Sequence, residues 1–128
     1  MSLRRRALAA AAIAATAITA LAASATGSSV AHERATKSVL VGDDYFGPTS
    51  LKVKSGDKVK WKWVPTNLNT HDVVLTSKHP NGVKPADFKS VSGSIGIKFN
   101  RKFKVPGNYG FICTFHRSVM KLDLKVKR

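Results

Sequence analysis

The sequence predicts an all-β fold, a two-sheet antiparallel sandwich. Apolar and aromatic residues alternate with polar ones at period two in several short runs, the pattern of half-buried strands. Gly, Pro, Asn and Asp clusters separate those runs. After residue 31 no stretch has helical periodicity of useful length, and many short strands joined by turns pack as two layers.

In chain order, the runs are these. Val39 and Val41 alternate with Leu40 and Gly42, and Gly47-Pro48 then turns the chain. Leu51 and Val53 alternate with Lys52 and Lys54 up to the turn Ser55-Gly56-Asp57. Val59, Trp61 and Trp63 alternate with Lys58, Lys60 and Lys62, which assigns both tryptophans to the core. His71 begins the apolar run that continues through Val73, Val74 and Leu75. Residues 77–90 read as an irregular segment holding Pro80-Asn81-Gly82, with a short helical turn at Pro85–Phe88. Ile95, Ile97 and Phe99 alternate with Gly96, Lys98 and Asn100, followed by Phe103, Val105 and the turn Pro106-Gly107-Asn108. Tyr109, Phe111 and Cys113 share one face of the next strand, and Leu122, Leu124 and Val126 share one face of the last.

The first 31 residues are of another kind. Arg4, Arg5 and Arg6 precede an uncharged, Ala-rich run over residues 7–23, and small residues follow at Ala23-Ser24-Ala25 and Ser29-Val30-Ala31. A basic start, an apolar stretch and a small-residue exit make a secretory signal peptide, cleaved after Ala25 or Ala31. A retained membrane anchor is the alternative, since the run is close to the lower length limit for a span. The expected organisation is a signal peptide over 1–31, a short linker over 32–36 and one domain over 37–128. Arg4, Arg5 and Arg6 are the only charged residues before residue 32, so 19 of the 22 Lys and Arg and all 7 Asp and Glu remain beyond it, a net charge of +12. Such a field draws in acidic redox proteins, anionic membrane or anionic wall polymer. Export argues against nucleic acid, and the domain is expected to act as a monomer.

Chemistry concentrates in Cys113-Thr114-Phe115-His116-Arg117-Ser118-Val119-Met120. Strand parity turns Cys113 inward, and a short loop then presents His116 and Met120. With His71 these make two imidazoles, a thiolate and a thioether. The sulfur donors favour Cu(I) and the imidazoles also suit Cu(II), so the set suits one copper ion that cycles between the two. Each residue also has a plainer reading. Cys113, the only cysteine, is otherwise a small buried hydrophobe, His71 an edge histidine and Met120 a core filler. His79 reads as a surface histidine in a turn. His32, at a possible new N-terminus, offers an imidazole beside an α-amino group.

These stretches resemble the cupredoxins, the small blue copper proteins, and within them the plastocyanin and amicyanin group. The resemblance spans about residues 37–128 and rests on Phe46-Gly47-Pro48 with Leu51 to Asp57, on Val59-Lys60-Trp61 with Asn67 to Val73, on Phe88 to Gly93, and most specifically on Pro106 to His116. It implies a Greek-key sandwich holding one type 1 copper, with His71, Cys113 and His116 as equatorial ligands and Met120 as the weak axial one. Arg117 stands where the family usually has proline, and Met120 follows His116 at a distance between those of the amicyanin-like and plastocyanin-like loops.

The function so implied is single-electron carriage between redox partners, with no substrate bond broken and the electron leaving by the His116 ring edge between Phe115 and Val119. Copper capture or delivery without redox cycling is the alternative, though such chains are more often rich in Met or His tracts. A catalytic copper enzyme needs a metal position open to substrate, and four histidines leave little for a second centre. A metal-free sandwich that binds polyanions through its lysines leaves the coincidence of His71, Cys113 and His116 unexplained.

Overall fold

The computed structural model describes Gly27 and residues 32–128. The expected signal peptide and its cleavage sites lie outside the described residues. Among the described residues no helix is long and apolar enough to cross a membrane.

Two four-stranded sheets pack face to face. One has the order β2-β1-β4-β6, from β1 (Thr36–Gly42), β2 (Tyr45–Gly47), β4 (Lys58–Trp63) and β6 (Lys98–Lys102). The other has the order β3-β8-β7-β5, from β3 (Ser50–Lys54), β5 (Val74–Leu75), β7 (Gly107–Ile112) and β8 (Lys121–Lys127). The all-β sandwich is as the alternation predicts, and the short helical turn is present as a 3-10 helix at Pro85–Phe88. Strand direction differs from the wholly antiparallel expectation. β1 runs parallel to β4, with Val39 opposite Trp61 and Val41 opposite Trp63, and β3 runs parallel to β8, with Val53 opposite Val126. After β2 the chain crosses to the second sheet as β3 and returns as β4, so strands distant in sequence become neighbours. Period two assigns faces, not neighbours.

Two runs are shorter than the sequence suggests. Only Val74–Leu75 pairs as strand in the run after His71. The strand at Phe99 starts at Lys98, and Ile95 lies outside it with more than half its surface exposed.

The core lies between the sheets. Val39, Val41, Val59, Trp61 and Phe99 enter from the first, and Val53, Tyr109, Phe111, Leu122, Leu124 and Val126 from the second. Trp61 joins the layers, its ring 5.0 Å from that of Phe99 and 5.2 Å from that of Phe111. Phe103 packs edge-on against Tyr109 at 5.0 Å. Burial of such rings is the main favourable term in a domain of this size. The complementary positions, Lys58, Lys60 and Lys62 of β4 among them, are exposed.

Candidate metal centre

Three segments meet at one end of the sandwich. The first leaves β7. Tyr109, Phe111 and Cys113 alternate inward, so the thiol is fully buried. The chain then closes a tight loop. His116 N–H donates to Cys113 O at 3.2 Å, Met120 N–H to His116 O at 2.9 Å, and Cys113 N–H to Met120 O at 3.1 Å. Each bond satisfies a backbone group that the loop removes from water, and together they bring His116 back over Cys113. Met120 ends the loop fully buried.

The second segment carries His71, also fully buried. Its backbone exchanges two hydrogen bonds with Gly93, at 3.0 and 3.1 Å, and the Trp63 indole N–H donates to the same Gly93 carbonyl. Asn67, also buried, donates its side-chain amide to Val41 O at 2.8 Å, which pins the loop to β1.

These supports bring three of the four expected donors together. Nδ1 of His71 lies 3.9 Å from Cys113 Sγ, and Nδ1 of His116 lies 3.6 Å from it. One donor atom from each residue falls within 4.8 Å of the others. An ion bonded trigonally at about 2.0 Å to nitrogen and about 2.3 Å to sulfur would separate those atoms by about 3.7 Å. The three residues therefore fit a metal ion in size, and a thiolate with two imidazoles fits copper in kind. His79 and His32 stand apart from this cluster. His79 contacts the Pro80 carbonyl, and His32 contacts Asp57 and Lys54.

The third segment is the turn between β1 and β2, which strand parity and motif spacing leave unconnected with the site. Asp43 Oδ1 accepts a hydrogen bond from His71 Nε2 at 2.9 Å, and Asp44 Oδ1 lies 3.1 Å from His116 Nε2. Asp43 also accepts the backbone N–H groups of Leu68 and Asn69, each at 3.0 Å. The Leu68 N–H, then the His71 ring and the Asn69 N–H, hold its carboxyl down to about 2. The one available signal was the rarity of acid in so basic a chain, 7 acidic residues against 22 basic, with two of them adjacent.

The chain resembles known proteins over the region that holds these residues. The model of the family described as copper binding proteins, plastocyanin/azurin family, matches residues 35–127. A mutant plastocyanin of fern is 30% identical, with a TM-score of 0.57 over 70% of this chain and 99% of the fern protein. The pseudoazurin from Methylobacterium extorquens AM1 is 25% identical, with a TM-score of 0.58 over 72% of this chain and 75% of its own. A copper-containing nitrite reductase from Thermus scotoductus SA-01 shares the fold at 24% identity and a TM-score of 0.60 over 73% of this chain, but this chain spans only 22% of that enzyme's length.

Proposed function

The chain belongs to the plastocyanin/azurin family of copper-binding proteins, and we propose that it is an exported carrier of single electrons. It holds one copper ion through His71 Nδ1, Cys113 Sγ and His116 Nδ1, with Met120 as a weak fourth ligand. The observation that carries this reading is the turning of both Nδ1 atoms toward one buried thiol, at 3.9 and 3.6 Å. Bound copper supplies a one-electron couple, and its thiolate bond gives a strong visible absorption.

The chain's own residues do the rest. The loop bonds between Cys113, His116 and Met120, and the Gly93 grip on His71, hold the donors in a fixed arrangement that suits both oxidation states. The burial of Cys113 and His71 keeps water from the ion. His116 is the donor that reaches the surface, with 24% of its side chain exposed. Phe115 and Val119, both more than half exposed, supply an apolar rim on which a partner can seat. Arg117 and the exposed lysines favour a partner with an acidic face, and the lysine-covered sheets also suit contact with anionic membrane or wall polymer. Residues 1–31 serve as the signal peptide in this reading, residues 32–36 as a linker and 37–128 as the working domain. No substrate bond breaks at this site.

The test is addition of one equivalent of Cu(II) to the purified protein. A strong thiolate-to-copper band in the visible spectrum is expected, and Cys113→Ser should abolish it. A colourless product unaffected by that substitution would refute the copper reading. Reversible one-electron voltammetry of the loaded protein then supports a carrier, whereas bound copper without a reversible couple supports capture or delivery.

A further inference from the structure

Two neighbouring carboxylates reach two histidines that lie 45 residues apart in sequence. Asp43 bonds His71 at Nε2, and Asp44 faces His116 at the same ring position. In each imidazole the nitrogen turned to the carboxylate is the one turned away from Cys113. A carboxylate beside Nε2 favours the proton there and leaves Nδ1 as a lone-pair donor. The backbone contributes a second observation. Asp44 has φ 65°, the left-handed region that non-glycine residues seldom occupy. The turn's left-handed position, which aspartate tolerates better than most residues, is thus the one whose side chain reaches His116.

Resting on the copper reading above, we propose that Asp43 and Asp44 are positioning residues for the centre, and that Asp44 lowers its reduction potential. Asp43 sets the ring of the buried ligand and Asp44 that of the exposed one. Both carboxylates make their imidazoles better donors. Both also place negative charge near the ion, which favours Cu(II) over Cu(I). Asp44 stands at the electron exit, more than half exposed, where a docking partner meets it. Removal of its charge therefore changes the driving force without removing a ligand.

Asp44→Gly and Asp44→Asn test this well, because glycine and asparagine both accept positive φ. If Asp44 serves only the turn, both variants keep the wild-type potential. If its charge acts on His116, both raise the potential, by about tenfold in the redox equilibrium or about 59 mV for one electron. Asp43→Asn should weaken Cu(II) binding by about 10- to 100-fold. In the metal-free chain, nitrogen-15 NMR at a pH where the rings are neutral should show the proton on Nε2 of both His71 and His116. Asp44→Gly should then shift His116, and not His71, toward the Nδ1–H form. An unchanged potential in both Asp44 variants, or an Nδ1–H tautomer for His116 in the wild-type protein, would overturn the inference. A wild-type protein without the visible band would instead sink the copper reading, and the metal-free spectra would still decide the role of the carboxylates.

Discussion

Asp72 accepts the backbone N–H of Thr114 at 2.6 Å, and the Thr114 hydroxyl donates to its other oxygen. Each residue directly follows a donor, His71 in one case and Cys113 in the other. The pair therefore ties together the two segments that carry the buried His71 and Cys113, and Asp72 is itself only 4% exposed.

Asp72→Ala should cost about 1–3 kcal/mol, because it leaves the Thr114 N–H and hydroxyl without their buried partner. Denaturant unfolding of the metal-free protein measures this. Asp72→Asn keeps an acceptor for the N–H and should cost less. A loss well below about 1 kcal/mol in Asp72→Ala would show that the tie contributes little.

Met120 separates ligand from filler. Met120→Leu nearly conserves volume, so its stability cost should stay below about 1.5 kcal/mol. The visible band should survive, since Cys113 and both histidines remain, while the potential should rise with loss of the weak axial donor. Voltammetry checks this, and an unchanged potential would reduce Met120 to core packing. Met120→Ala should cost about 2–5 kcal/mol whatever its role, because the side chain is fully buried.

Phe103 belongs to the aromatic cluster between the sheets, with Trp61, Phe88, Tyr109 and Phe111 around it. Phe103→Ala should cost about 3–5 kcal/mol. Whole domains hold only about 5–15 kcal/mol, so the variant should melt at a much lower temperature. A shift of only a few degrees in calorimetry would contradict the packing described.

Asp57 links acid stability to the turn between β3 and β4. Burial alone would raise its pKa, but the N–H groups of Lys54 and Ala35 and the His32 ring outweigh that and lower it below the ordinary 3.8. A carboxyl depressed in the folded state adds stability that is complete above its unfolded pKa and is lost as pH falls through the folded one. Stability should therefore drop as pH falls below about 4. Asp57→Asn should be less stable than wild type at neutral pH and should lose less of its stability on acidification. Unfolding midpoints between neutral pH and pH 2 test this, and equal acid sensitivity in both proteins would contradict it.

Lys58 lies directly opposite Lys102 and Lys62 directly opposite Lys98, on β4 and β6. Like charges so placed repel. Lys98→Glu should stabilise the domain by about 0.2–1 kcal/mol at low salt, and the gain should shrink as salt screens it. The same change should elute the protein from a heparin column at lower salt. Unaltered elution would place polyanion contact on another face.

The sequence by itself determined the layers and most of the centre. Alternation at period two made Val59, Trp61, Phe111 and Leu124 internal whichever strands they came to pair with, because side-chain direction along a strand is a local property. Cys113 follows from the same parity, and His116 is close to it in sequence. Only the tertiary structure decided strand neighbours and directions, since the parallel pairing of β1 with β4 depends on a crossing between sheets that no local pattern encodes. It alone also brought Asp43 to His71 across 28 residues and Asp72 to Thr114 across 42. An aspartate in a turn looks the same in sequence whether it meets water or a histidine. The chain's return path supplies the difference, and through it the orientation of the rings and the charge at the exposed edge of the copper site.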